Sequence, residues 1–206
     1  MHRFVLLSGL MLVAAPATAQ TTLGLKGGVG FATIAIEEAA VEEKYVSGIV
    51  AGVEIGVPVS GVFSLRLGGS YAQKGGGGSV GGGTVTLNID YFHFSALARV
   101  ATSGDGLSVG LAAGPWAAYR RSCELEGVTL EGTSIVTPCY DPPLSDFDIK
   151  TLDFGLAFGG GVEFPVSGRL RLGLDALYSL GLASVDDDDS KTRHLTVQTG
   201  LSFPVG

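Results

Sequence analysis

In eight segments of this chain, apolar residues alternate with glycine or polar residues at every second position. In the seventh segment, for example, Leu170 and Leu172 flank Arg171. Successive side chains of a β-strand point to opposite faces, so each segment is expected to form a strand with one apolar face and one small or polar face. The segments are 21–34, 45–57, 62–74, 84–101, 106–121, 149–164, 170–182 and 194–203.

The fourth segment, 84–101, changes phase in its middle. Apolar residues up to Ile89 lie in one phase, and those from Phe92 onward lie in the other. An inserted residue exchanges the two faces of a strand, so we expect a β-bulge near Asp90 or Tyr91.

The connections between the segments alternate between short and long. The short ones, at 57–61, 102–105 and 164–168, contain the Pro or Gly residues typical of turns. The long ones lie at about 35–44, 75–83, 122–148 and 183–192, and the second is expected to be flexible because it consists almost entirely of glycine. In bacterial outer-membrane barrels short turns are periplasmic and long loops extracellular. The predicted fold is therefore all-β, an eight-stranded antiparallel up-and-down transmembrane β-barrel with both termini in the periplasm.

The first 19 residues have the features of a secretory signal peptide: a basic Arg3, an apolar run at 4–13 and the small motif ATA at 17–19. A transmembrane helix is the alternative, but a spanning helix needs roughly 20 apolar residues, which neither this run nor any later one provides. We predict a cleaved signal peptide at 1–19 and a barrel domain at 20–206, exported to the outer membrane of a Gram-negative bacterium.

Composition favours a membrane barrel over a soluble domain. The chain has 33 glycines, only 16% charged residues and a net charge of −7, with a mean hydropathy of +0.39. Strands with one lipid-facing side produce such values. The negative charge argues against a nucleic-acid partner, which would need clustered Lys and Arg. A soluble exported barrel of lipocalin type would need polar residues on the outer face of 170–182, where the sequence has leucines.

Four stretches resemble the PorT-like outer-membrane β-barrel domain family. They are LGLKGGVGFATI at 23–34, YAQKG at 71–75, GPW at 114–116 and YSLGL at 178–182. The likeness extends over the whole chain that follows the signal peptide. It implies a small eight-stranded barrel, often without an assigned biochemical role. Outer-membrane lipid and the barrel assembly machinery are the expected partners, and a monomer is the expected state.

Charged residues occur at positions that should face the barrel interior. An eight-stranded barrel is just wide enough for side chains to fill it, and charges in such a low-dielectric space must pair. We therefore predict an internal ion-pair network that closes the barrel, and its alternative is a gate or binding pocket near the periplasmic end. The network is predicted to contain Lys26, Glu54, Arg66, Arg99, Glu163, Arg171 and Asp175, and Arg120 and Asp153 are also expected to point inward.

The sequence offers one weak candidate for catalysis. His194 lies near Ser184, Ser190 and the acidic run at 186–189, which together could form a Ser–His–acid set at the outer rim. Such a grouping arises readily by chance in a polar loop. His93 is the only other histidine after the signal peptide, and no zinc-ligand spacing is present. We predict a protein that is not an enzyme and has no catalytic, cofactor-binding or metal-binding residues.

Fourteen of the 20 acidic residues lie in the first, third and fourth long loops, which predicts a negative extracellular surface. Solubility of the loops is the simplest interpretation. A sharper hypothesis is that the loops bind a divalent cation or an extracellular partner, although the run at 186–189 lacks the spacing of a calcium loop.

The two cysteines, Cys123 and Cys139, lie in the third long loop of an exported protein and are expected to form a disulfide. The predicted function is a small outer-membrane barrel with a structural or surface-interaction role. The alternative is a barrel that handles lipid or a small ligand, as a rim enzyme or a narrow channel.

Overall fold

The computed structural model of the chain describes residues 20–35, 45–80, 83–102, 106–128, 134–139, 150–184 and 191–205. The signal peptide predicted at 1–19 lies outside these residues, as do most of the acidic loop residues. Within the described parts of the chain, no helix is long and apolar enough to cross a membrane.

The regular structure of the described residues consists of nine β-strands. Eight of them correspond to the eight alternating segments, and the sixth is an additional short strand within the third long connection. The strands are β1 (Thr22–Ala35), β2 (Val46–Pro58), β3 (Phe63–Val80), β4 (Gly83–Ala101), β5 (Ser108–Val128), β6 (Ser134–Pro138), β7 (Leu152–Ser167), β8 (Leu170–Ser184) and β9 (Lys191–Pro204).

Eight strands form a closed antiparallel ring in the order β1-β2-β3-β4-β5-β7-β8-β9. The ring closes because β1 pairs with β9 along its whole length, from Thr22 opposite Pro204 to Ala35 opposite Lys191. The ladder leaves no unpaired edge that would expose backbone N–H and C=O groups to lipid. The prediction of an eight-stranded up-and-down barrel is therefore confirmed.

The two ends of the barrel differ in their connections. One end, which we call the turn end, carries both ends of the β1–β9 ring and the short turns, of which two lie within the described residues. In one of these turns Gly168 adopts φ of 55°, a conformation that glycine accepts without steric cost. The opposite end, which we call the loop end, carries the long connections. By the general rule for bacterial barrels, the turn end faces the periplasm.

The alternating pattern separates an apolar outer face from a small and polar inner face. Large apolar side chains such as Leu25, Phe94 and Leu111 are 60%, 59% and 73% exposed on the outside. A soluble protein rarely exposes so many, and a barrel in lipid needs them.

The irregularity expected near Asp90 occurs there, but in a different strand. Asp90 pairs with Ser122 and Tyr91 pairs with Arg120, so Arg121 is the extra residue and the bulge belongs to β5. The pairing of β3 with β4 is unbroken. Ile89 therefore faces the interior and is only 1% exposed, because apolar side chains fill the barrel near the loop end.

The glycine-rich stretch predicted as a flexible loop at 75–83 is mostly strand. β3 continues through it to Val80, and its partner β4 begins at Gly83. The pairing of β2 with β3 ends at Val50 and Ala72, and beyond that point β3 contacts β1 directly. A Cβ atom on Gly76 would lie 3.2 Å from Ile34 Cβ. Glycine thus lets the β3–β4 arm lean past the end of β2 onto β1.

Candidate functional site

All seven charged residues predicted to form the network lie within the turn half of the interior, the part nearest the turn end. Alternation in six different strands turns their side chains inward, and ion pairs of 4.0 Å or less connect all of them. We call this set the charge network: Lys26 on β1, Glu54 on β2, Arg66 on β3, Arg99 on β4, Glu163 on β7, and Arg171 and Asp175 on β8.

Arg66 lies at the centre of the charge network. Its Nε is 3.4 Å from Glu54 Oε1, its Nη1 donates to Asp175 Oδ1 at 3.1 Å, and its Nη2 donates to Glu163 Oε1. The Arg66 side chain is only 8% exposed. A guanidinium group suits this position because its planar fork can meet several carboxylates at once.

Lys26 completes a closed cycle of charges with Arg66. Its Nζ donates to Glu54 Oε2 and to Asp175 Oδ2, each at 2.8 Å. Both of these acids also pair with Arg66, so each of the four groups touches two partners of opposite charge. Such mutual pairing offsets the cost of removing the charges from water.

Glu163 is shared among three arginines and serves two of them only at longer range. Its Oε1 lies 3.6 Å from Arg99 Nη2, and its Oε2 lies 3.9 Å from Arg171 Nε. Arg171 Nη2 also donates to the carbonyl oxygens of Gly106 and of Glu163, at 2.9 and 3.3 Å. Arg99 Nη2 makes no hydrogen bond among the described residues.

Glycines of the inner face make room for these charged side chains. A Cβ on Gly161 would overlap the Asp175 carboxylate and lie 2.7 Å from the carbonyl oxygen of Leu174. A Cβ on Gly200 would lie 2.7 Å from Lys26 Cγ. The alternation of glycine with apolar residues thus reflects the space that a charged interior requires.

The loop half of the interior, the part nearest the loop end, holds a compact apolar cluster that we call the interior core. Every member is at most 8% exposed, and partly buried Ile34, Leu87 and Leu177 pack against it. The interior core consists of Ile89, Tyr91, Leu97, Ala112, Trp116, Ala118, Ala157 and the two cysteines.

The predicted disulfide between Cys123 and Cys139 is present. It joins β5 to the residue that follows β6, where Cys139 N also donates to the carbonyl oxygen of Cys123. Both cysteines are buried in the interior core, at 2% and 5% exposure. The disulfide therefore contributes to the filling of the barrel as well as closing the third long connection.

Sequence reasoning missed Lys74, which lies in the interior core. Its Nζ is 4.0 Å from the centroid of the Trp116 ring and 5.1 Å from that of Tyr91. Asp153 Oδ2 is 3.8 Å from the same nitrogen and accepts a hydrogen bond from Thr192 at 2.8 Å. Residue 74 has the same parity as Arg66 in β3, a signal that was available but was hidden by the assumption that the strand ended there.

The candidate catalytic set is not assembled by the described residues. His194 is 3% exposed and lies inside the barrel, where its Nε2 occupies the space that a side chain on Gly30 would need. Its register partner on β8 is Ser179, which is also buried. Ser190 and the run at 186–189 lie outside the described residues. A buried histidine is poorly placed to meet lipid at the rim.

The other two inward predictions have mixed environments. Asp153 is completely enclosed and pairs with Lys74, whereas Arg120 is partly buried and its Nε makes no hydrogen bond among the described residues. The same part of the chain contains no group of three or more His, Cys, Asp or Glu side chains that could hold a metal ion. The cation hypothesis for the acidic loops falls largely on residues outside that part.

A sequence model described as "Outer membrane protein beta-barrel domain" matches residues 4–203. The chain belongs to this family. Membership supports location in the outer membrane and explains the apolar outer face as a surface for lipid.

Solved structures show the same fold at low sequence identity. The outer membrane protein OprG from Pseudomonas aeruginosa matches with a TM-score of 0.55 and 10% identity, over 91% of this chain and 97% of that one. Neisserial surface protein A matches with a TM-score of 0.48 and 13% identity, over 89% and 97%. The attachment invasion locus protein Ail of Yersinia pestis, in complex with the heparin analogue sucrose octasulfate, matches at 0.47 and 14%, over 90% and 100%. None of the curated proteins matches this chain in sequence.

Proposed function

We propose that this protein is a closed, non-enzymatic barrel of the outer membrane with a structural or surface-contact role. It acts as a monomer surrounded by lipid, after insertion by the barrel assembly machinery, and its finer affinity is with PorT-like barrels. The observation that carries the proposal is that the interior is filled at two levels, by the charge network in the turn half and by the interior core in the loop half.

The two levels lie in series along the barrel. Arg66 reaches acids on three other strands, β2, β7 and β8, so it crosses the interior in the turn half. Trp116 and Tyr91 are 3% and 0% exposed in the loop half. An ion crossing the barrel would have to displace both levels, which favours a closed barrel over a narrow channel.

The surface role is supported by the arm formed by β6 and the end of β5. The disulfide anchors this arm to the interior core, while Ile135 and Val136 on β6 remain 56% and 57% exposed. Ser134 Oγ donates to Glu126 Oε1 at 3.0 Å across the arm. An ordered arm with exposed apolar side chains and carboxylates is suited to contact with another surface at the loop end.

The proposal of a closed barrel is tested by solute uptake. The wild-type protein is refolded into liposomes, and the entry of small ions and sugars is compared with that into protein-free liposomes. We expect equal rates. Faster entry of any of these solutes, proportional to the amount of folded protein, would contradict the proposal and favour the channel alternative.

The absence of enzymatic activity is tested by lipid analysis of outer membranes that contain the wild type, His194→Ala or no protein. We expect the same lipid composition in all three. A lipid change produced by the wild type and lost in His194→Ala would show that the barrel is an enzyme.

A further inference from the structure

A cavity of about 160 Å³ lies in the turn half, beneath the charge network. All seven network residues line it, together with small and hydroxyl side chains such as Thr22 and Ser64. Its volume is several times the roughly 30 Å³ occupied by one water molecule in the liquid. The cavity can therefore hold a small polyatomic ligand.

The charges that line this cavity do not balance. Four are cations and three are acids. Lys26 and Arg66 use Glu54 and Asp175 in the closed cycle, and Arg66 also bonds Glu163. Glu163 is then the one network acid left for the two remaining arginines.

Arg99 is the cation that this arrangement leaves underpaired. The residue is 8% exposed, its Nη2 is 3.6 Å from Glu163 Oε1, and that nitrogen makes no hydrogen bond among the described residues. A buried guanidinium donor without a partner is costly. Arg171, on the opposite side of Glu163, is 3.9 Å from the same carboxylate.

We propose that this cavity binds a small oxyanion, a phosphate or carboxylate group, between the guanidinium groups of Arg99 and Arg171. An oxyanion supplies the acceptors that Glu163 cannot provide to both arginines, and it balances the surplus positive charge of the lining. Guanidinium forks match the oxygen geometry of phosphate and carboxylate. Ser64, the register partner of Arg99, adds a hydroxyl donor at the wall.

The position of the cavity limits the source of the ligand to the side of the turn end, which is the periplasm. The oxyanion is either free phosphate or a carboxylate carried by a periplasmic molecule. A closed barrel and a conducting one could each contain this site, so the inference stands or falls separately from the proposed function.

The test is titration of the refolded barrel in nanodiscs with inorganic phosphate and, separately, with acetate. Binding is measured by calorimetry and by the NMR shift of the arginine side-chain Nε–H groups. We expect saturable binding of at least one probe, weakened about tenfold or more in Arg99→Gln because a charge-assisted hydrogen bond is lost. Tighter binding of phosphate would identify a phosphate-bearing ligand, and tighter binding of acetate would identify a carboxylate.

Arg193→Gln is the matched control, because it removes the same charge from an exposed arginine of β9 near the loop end and should bind both probes like the wild type. Folding of each variant is verified by the shift of the unheated protein on gels. If Arg99→Gln does not fold, the more exposed Arg171→Gln and the charge-conserving Arg99→Lys provide the comparison, and each should weaken binding. Absence of saturable binding to the wild type, or equal binding by the folded arginine variants, would overturn the proposal.

Discussion

In the turn half of the interior, charged side chains meet one another, whereas in the loop half a charged side chain meets aromatic rings. Arg66 and Lys26 each touch at least two carboxylates. Lys74 instead lies 4.0 Å from the Trp116 ring and has one carboxylate, that of Asp153, at 3.8 Å. The same fold thus closes its interior by ion pairing at one end and by packing at the other.

The contrast shows where each half should be vulnerable. In the turn half, removing one charge strands its partners in a low-dielectric space. In the loop half, the polar atoms Lys74 Nζ, Asp153 Oδ1, Tyr91 Oη and Trp116 Nε1 make no hydrogen bond among the described residues. Apolar contacts and the disulfide must therefore stabilise that half.

The largest effect should come from Arg66→Ala. It leaves Glu54, Glu163 and Asp175 without their shared cation, and breaking a buried pair from one side costs about 3–5 kcal/mol. Urea unfolding of the refolded barrel measures the loss. Arg193→Ala, on the exposed surface, should change the free energy of unfolding by about 1 kcal/mol or less. Equal effects of the two substitutions would mean that the charge network does not stabilise the turn half.

Removal of the disulfide should have the next largest effect, and it tests the loop half. A bridge over a sequence separation of 16 stabilises by about 3 kcal/mol in the chain-entropy model. The double substitution of Cys123→Ser and Cys139→Ser, compared with the oxidised wild type, measures this in urea. Reduction of the wild type should give a similar loss. If neither treatment lowers the unfolding midpoint, the bridge does not hold the interior core together.

A smaller loss is expected for Gly161→Ala, which tests whether inner-face glycines are required by the charged side chains. The added Cβ would overlap Asp175 and approach the Leu174 carbonyl oxygen, and overpacking of this kind costs about 1–3 kcal/mol. Gly127→Ala is the matched control, because a Cβ there meets nothing within 4 Å. A Gly161→Ala protein as stable as the Gly127→Ala protein would show that the wall can adjust without cost.

The smallest effect should come from Arg171→Gln at the edge of the charge network. The Arg171 side chain is 24% exposed and lies 3.9 Å from Glu163, so solvent screens its contribution to about 1 kcal/mol or less. Comparison of its unfolding midpoint with that of Arg66→Ala gives the gradient of pairing strength across the network. A loss as large as that of Arg66→Ala would contradict this gradient.

The sequence predicted the parts of the fold that depend on local alternation. Period-2 patterns located the eight barrel strands, and inward parity placed Arg66, Glu163 and the other charged residues on the inner face. The same reasoning failed where the pattern is absent or depends on neighbouring strands. Glycines at 75–78 show no alternation, although pairing with β4 makes them strand.

Two further differences have tertiary causes. The bulge at Arg121 belongs to β5 because register is a property of a strand pair, and a single segment such as 84–101 cannot show which partner carries the extra residue. Lys74 has a buried site only because β3 extends beyond it and because Trp116 and Tyr91 come from other strands. Distances within the charge network depend in the same way on six strands meeting.

Single-channel conductance in planar bilayers tests most directly the claim that two independent levels close the barrel. The comparison uses the wild type, Arg66→Ala, Trp116→Ala and the variant carrying both substitutions, each verified as folded by its gel shift. The account predicts no current steps for the wild type and for either single variant, because one level still closes the interior, and steps only for the double variant. Stable open-channel steps in the wild type would contradict it.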